Sequence, residues 1–427
     1  MKTKKIFLIA LATFICELQT ANCFSQGSWT QKADFGGTAR CYAVGFSIGT
    51  TGYIGTGTLD FGGGTKDFWS WNQSTNTWTQ KADVGGVERL FAVGFSIGSK
   101  GYIGTGTDGN TNVGMTDLWE YDTINNSWTQ KAPFPGSARF GAVGFSIDSK
   151  GYIGTGRCDP NYYKDFWEYN PVNDTWTQKT DFGGTARAHA TGFFTVDKGY
   201  IGCGYLVDTV GTYVHYSKDF WEYNPVTDTW TQKADYAGLR RICPSSFSIG
   251  KEGYIGTGQD TTGSCNTTKD FWKYDMQNDI WIQVDSLTGA VREGAVGFSI
   301  GMKGYIGTGH TFTQSPYFNG FDNDLWEYNP SPVSIAELSA NTVKVTVYPN
   351  PVCKSAIFTI EGFQPNQPVE IQLYSVAGKA VGLFTFLGSR YVMSRKDLPT
   401  GIYLYKISSN NKKIVSGKLI IDTNLDK

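Results

Sequence analysis

The stretch "KDFWEYNPVNDTWTQKTDFGGTAR" (residues 164–187) returns along the chain with small changes. Its second half recurs as "SWTQKADFGGTAR" (28–40), "TWTQKADVGGVER" (77–89) and "SWTQKAPFPGSAR" (127–139). Three markers each occur six times. "GYIG" starts at Gly52, Gly101, Gly151, Gly199, Gly253 and Gly304. Asp-Phe/Leu-Trp carries Trp69, Trp119, Trp167, Trp221, Trp272 and Trp326, and Trp-Thr/Ile-Gln carries Trp29, Trp78, Trp128, Trp176, Trp230 and Trp281. These two columns hold all but one of the 13 tryptophans, so the period of about 50 residues is real. That period is the length of a four-stranded propeller blade.

Each unit also reads as four strands. "YAVGFSI" (42–48) is small and apolar, fit for a crowded strand near an axis, and "GYIGTG" (52–57) follows a tight turn. Glycines there permit close backbone approach. "KDFWEYN" (164–170) alternates bulky and polar residues, and "DTWTQK" (174–179) follows an Asn/Asp/Pro turn as an outer strand. One blade cannot bury its own faces, so neighbours share a core. The tryptophans are expected to fill the space between blades. The inner three strands occur six times, ending at "DLWEYNP" (324–330), whereas the first outer strand stands at the N-terminus. The count closes only if the strand around Trp29 completes the sixth blade and leaves no bare edge.

The pattern Arg-x-x-Ala, "GYIGTG", "DFWEYNP", "TW" resembles the kelch repeat over roughly residues 28–330. It departs from it in reading Gly-Thr-Gly, or Gly-Cys-Gly at 202–204, for the double glycine. The resemblance implies an all-β, six-bladed kelch-type β-propeller.

Composition agrees: 53 glycines and 15% aromatics suit short strands and tight turns. A net charge of −1 gives no footprint for nucleic acid. Residues 1–26 ("MKTKKIFLIALATFICELQTANCFSQ") read as a signal peptide, with three lysines ahead of the apolar run Ile6–Ile15. Cleavage is expected between Asn22 and Gly27. Asn22 is a poor residue before a lipidated Cys23, so plain secretion is favoured over a lipid anchor. No other stretch approaches the ~20 apolar residues of a spanning helix. Cys41, Cys158, Cys203, Cys243, Cys265 and Cys353 show no CxxC pair, and their spacings specify no disulfide. His189, His215 and His310 stand at no ligand spacing, so no metal or other cofactor is expected.

After a propeller at 27–333 and a linker at 334–343, a different all-β pattern fills 344–427. "VYPNPV" (347–352), "VEIQLYSVAGKAV" (369–381), "DLPTGIYLYKI" (397–407) and "KKIVSGKLII" (412–421) predict a small β-sandwich. In order and wording these motifs resemble the C-terminal sorting domain of type IX secretion in Bacteroidota. The resemblance implies recognition by that export machinery and a protein released or held at the outer-membrane surface. Residues 334–427 carry 11 Lys+Arg against 6 Asp+Glu, while 27–333 carry 23 against 31, as two separate modules would.

Variable loops on a constant scaffold are where specificity resides. Here they lie between the second and third strands: 58–66, 157–164, 205–218 and 310–323, the last two rich in tyrosine, phenylalanine and histidine. The same face receives one arginine per blade: Arg40, Arg89, Arg139, Arg187, Arg241 and Arg292. The propeller has only two others, Arg157 and Arg240. A ring of guanidinium groups at the channel mouth could grip carboxylates or phosphates of a ligand. It could equally brace loops against Asp34, Asp83, Asp181, Asp235 and Asp285, six or seven residues upstream. The Asp before each Phe/Leu-Trp is expected to satisfy loop amides.

No serine triad, phosphate loop or paired metal carboxylate is present, and no catalytic residue is assigned. The expected function is a secreted binding module for an extracellular protein or glycan, with no nucleic-acid partner. The alternative is a sugar-processing enzyme such as a sialic-acid mutarotase, for which Glu88 and Glu293, beside ring arginines, are the only adjacent carboxylates.

Overall fold

The computed structural model describes residues 27–330 and 344–422, apart from 60–61, 112, 196, 208–213, 261–265, 315–316, 362–367, 376–378, 396–397 and 410–411. The signal-peptide and linker assignments lie outside the described residues. The chain divides into two units, Met1–Val333 and Ser334–Lys427.

The first unit is a six-bladed propeller. Blade 1 is the antiparallel sheet Val44–Ile48, Thr51–Gly55, Phe68–Asn72 and Thr77–Lys81, in chain order from the axis outward. Blades 2 to 5 repeat this order. In blade 6, Val296–Ile300, Lys303–Gly307 and Leu325–Asn329 are completed by Ser28–Gln31. The register pairs Ser28 with Asn329 and Gln31 with Trp326, so the N-terminal strand closes the ring.

The packing between blades differs from expectation in one respect. Both tryptophan columns are only half-buried. The tyrosines of the "EYN" position, such as Tyr169 and Tyr223, with Trp71 in that place in blade 1, are fully buried, as is the phenylalanine or leucine before each inner tryptophan. The tryptophans sit farther out, where they hydrogen-bond as well as pack. Each outer-strand indole donates to a carbonyl of the connection entering its blade, as in Trp176 to Ala132 O at 3.0 Å. The left-handed residue of the outer turn (Asn76, Asn126, Asp174, Asp228 or Asp279) accepts from an amide of a neighbouring connection, as in Ala132 N to Asp174 Oδ1 at 2.9 Å. Asn and Asp tolerate φ > 0, which explains their place in this turn.

The second unit packs a three-stranded sheet (Lys344–Tyr348, Ser355–Glu361, Arg390–Ser394) and a four-stranded sheet (Ala380–Phe386, Val369–Ser375, Gly401–Ser409, Lys412–Ile421) around one core. Val352, Phe358, Ile371, Leu373, Met393 and Ile407 are fully buried there. No helix occurs among the described residues, so none is long and apolar enough to cross a membrane.

Candidate functional site: a braced ring beneath a variable mouth

Two residues after each repeat arginine the chain turns at the axis. Tyr42, Phe91, Gly141, His189, Cys243 and Gly294 all take φ between +49° and +61°. Each donates its backbone N–H to the equivalent carbonyl of the preceding blade: Phe91 to Tyr42 at 3.1 Å, Gly141 to Phe91 at 3.0 Å, His189 to Gly141 at 2.9 Å. Cys243 continues to His189 at 2.9 Å, Gly294 to Cys243 at 3.1 Å, and Tyr42 to Gly294 at 2.8 Å. Six hydrogen bonds thus form a closed belt around the axis. Two positions are glycine for a visible reason. A Cβ on Gly141 would lie 2.9 Å from the His189 ring, and one on Gly294 would strike the Tyr42 ring. The large side chains of the belt lean over the small ones and leave a cavity of about 120 Å³.

Of the two roles open to the six ring arginines, the geometry shows bracing, though against other aspartates than those named above. All six arginines are buried, with at most 1% of the residue exposed, and none offers a free guanidinium to the mouth. In blade 3, Arg139 Nε donates to Ser137 O at 2.9 Å and Nη1 to Thr155 O at 2.8 Å. The same guanidinium forms a two-pronged pair with Asp165 at 2.7 and 2.8 Å. The pattern recurs for Arg40–Asp67, Arg89–Asp117, Arg187–Asp219, Arg241–Asp270 and Arg292–Asp324. Four arginines also lie over the ring five positions upstream, Phe35, Phe134, Phe182 or Tyr236, at 4.7–4.9 Å.

The bracing carboxylates are therefore the aspartates before Phe/Leu-Trp, not Asp34, Asp83, Asp181, Asp235 and Asp285. The true partner is 26 to 32 residues downstream, beyond the second strand and the variable loop, where sequence proximity gives no hint. Each bracing aspartate also accepts the indole N–H two residues on, at 2.6–2.9 Å. Burial works to raise the Asp67, Asp117, Asp219 and Asp270 pKa values. The hydrogen bonds and charge of the facing arginine outweigh it and hold them below the usual carboxylate range. The Gly-Thr-Gly departure belongs to the same device. Its central residue is left-handed in all six blades and turns its carbonyl onto arginine Nη1.

Chemistry at the mouth comes instead from columns that vary between blades. The residue after each Gly-Thr/Cys-Gly is Thr58, Thr107, Arg157, Tyr205, Gln259 or His310. It pairs with the residue after the ring arginine, as in Phe140 with Arg157 and Glu293 with His310. Blades 1 and 2 present only threonines at this position; blades 3 to 6 present four different polar groups.

Arg157 lies 5.0 Å over the Phe140 ring and about 6 Å from the rings of Tyr162 and Tyr205. Its polar contacts are Nη1 to Tyr162 Oη at 3.2 Å and to the exposed Asp159 at 3.3 Å; Nε is buried without a partner. On the other side, Glu293 is buried. Tyr42 Oη donates to it at 3.1 Å, and His310 Nδ1 stands at 3.4 Å. Glu88, the other carboxylate beside a ring arginine, is exposed. Between the two sides, burial and then the Arg157 charge push the His189 pKa down to about 3, which keeps the ring neutral. Burial, then Glu293, push the Cys243 thiol up, so it is no thiolate at neutral pH. The described cysteines form no disulfide, and no group of metal-ligating side chains occurs among the described residues.

The sequence reading named the 157–164, 205–218 and 310–323 loops but missed Arg157 as a mouth residue. The available signal was its singularity: it is the one arginine in a column where every other blade has something else.

Comparison with known proteins agrees with this architecture. No curated protein matches the chain. Among solved structures, one described as "Structure of YjhT" superposes with a TM-score of 0.57 at 15% identity, covering 69% of this chain and 95% of that one, a likeness that establishes the propeller fold alone. Residues 346–422, which form the sandwich, match the family model of the secretion system C-terminal sorting domain. The chain therefore ends in a type IX sorting domain, and the protein that carries it is secreted or held at the outer-membrane surface.

Proposed function

We propose that the propeller, built of kelch-type repeats, is a non-enzymatic binding module whose ligand, an extracellular glycan or protein, docks at the variable mouth. One observation carries this reading. The arginine and aspartate repeated in every blade are consumed in braces, whereas Arg157, Tyr205, Gln259 and His310 are unique to their blades and share one rim. A scaffold that spends its repeated side chains on rigidity and varies only one rim is organised for recognition. The test is a glycan and protein array probed with the mature chain and with a Gln259→Ala/His310→Ala variant. Signal lost with the variant supports the reading; signal unaffected by changes anywhere on the rim overturns it.

A second reading, a sugar-processing enzyme such as a sialic-acid mutarotase, draws on Glu293. A buried carboxylate held by Tyr42 beside His310 is placed as an acid–base group would be. Proton-exchange NMR of sialic-acid anomers decides it: catalysed exchange abolished by Glu293→Gln favours the enzyme.

A further inference from the structure

The propeller's two arginines outside the ring flank a single row of tyrosines, Arg157 beside Tyr162 and Tyr205 and Arg240 beside Tyr216. Arg157 bonds Tyr162, whose ring stacks on Tyr205 at 5.8 Å and 24°. Tyr205 meets Tyr216 at 6.2 Å, and the exposed Arg240 donates to the Tyr216 carbonyl at 3.4 Å. The row crosses the seam between blades 3 and 4 and reaches the connection into blade 5, so two variable loops and that connection build it.

From this placement we infer, on the basis of the binding reading above, that the Arg157–Tyr162–Tyr205–Tyr216–Arg240 crescent binds a short acidic oligosaccharide. Tyrosine rings offer apolar faces to the C–H faces of sugar rings and hydroxyls to their edges. The guanidiniums of Arg157 and Arg240, beside the row, meet the carboxylate or sulfate of an acidic sugar with charge-assisted hydrogen bonds. Arg157 keeps donor capacity for this: its side chain is 25% exposed and its one carboxylate partner, Asp159, is 55% exposed and displaceable. The ring arginines, at 2% side-chain exposure or less, have no such capacity. The acidic background of the propeller, 23 Lys+Arg against 31 Asp+Glu over 27–333, gives no long-range pull on a polyanion. Two local cations with an aromatic floor therefore suit a short saccharide better than a nucleic acid.

The experiment is calorimetric titration of the mature full chain with oligogalacturonate, a sulfated dextran oligomer, neutral dextran and single-stranded DNA. Binding is expected for an acidic saccharide and not for neutral dextran. The carboxylated and sulfated arms decide which anion is preferred. Arg157→Gln and Arg240→Gln should each weaken it on the order of tenfold or more. Arg157→Lys should restore only part of the loss, and Tyr205→Ala should weaken binding several-fold. Arg240 is exposed, so its variant should melt like the wild type and report binding alone. The inference is overturned if neither acidic saccharide binds, if neutral dextran binds as well, or if DNA binds best. It is also overturned if the Arg157→Gln/Arg240→Gln double variant keeps wild-type affinity. In that last case, loss of binding in the Gln259→Ala/His310→Ala variant would leave the mouth reading standing, and its retention would remove both.

Discussion

Replacing Asp117 by alanine should destabilise the propeller by about 3–4 kcal/mol. Arg89 is fully buried and Asp117 is 22% exposed; they meet at 2.6 and 2.8 Å. Breaking one side of a buried ion pair costs about 3–5 kcal/mol, because the remaining charge stays buried and unpaired. The partial exposure of Asp117 places the loss near the lower end. The Trp119 indole also loses its 2.7 Å acceptor, worth about 1 kcal/mol. Equilibrium urea unfolding followed by tryptophan fluorescence reads the change. With m near 3 kcal/mol/M for a domain of this size, the midpoint should fall by about 1 M. An Arg89→Met/Asp117→Leu double variant removes both charges and should regain most of the loss. A single variant within about 1 kcal/mol of wild type at unchanged m would refute the brace. So would loss of glycan binding without loss of stability, since the arginine would then be serving a ligand.

Acid should act through the same column. Asp67, Asp117, Asp219 and Asp270 have folded pKa values below their unfolded ones, so their stabilisation is complete above about pH 4. It is lost as pH falls through the lower folded values, and a urea midpoint measured against pH should decline there and stay level above. Deleting Ser28–Gln31 removes a four-residue ladder together with the Trp29 contacts to Phe271 and Tyr328 at 4.9 and 5.0 Å. The opened ring should unfold at markedly lower urea and expose blade 6 to limited proteolysis; a wild-type midpoint would contradict closure at this strand. Thr155 keeps a buried hydroxyl without a partner, so Thr155→Val should stabilise by about 1 kcal/mol in the same assay, with the β-branched backbone preference unchanged.

Much of the fold was legible because a propeller writes its architecture into periodicity. Six copies of "GYIG" and paired tryptophan columns counted the blades, and the displaced Trp29 strand announced the closure later seen in the Ser28–Asn329 register. The sandwich was legible for the same reason, through motif order. The site was less so. Arg89 has Asp83 six residues upstream; the aspartate it meets, Asp117, comes near only after the second strand folds back and the variable loop returns. Repetition in sequence revealed that the arginines mattered but was silent on which way they pointed.

What this sequence determined by itself was periodic: strand number, blade number, ring closure and the change of module near residue 334. Local patterning and strand counting suffice for these, since each strand's faces are set by its own residues and the count must close. What tertiary structure alone decided was the division of labour at the axis. Burial took the six repeated arginines out of play, because a guanidinium away from water must be paired with a carboxylate. The unrepeated Arg157 and Arg240 came to flank a tyrosine row drawn from two variable loops only once neighbouring blades had packed together.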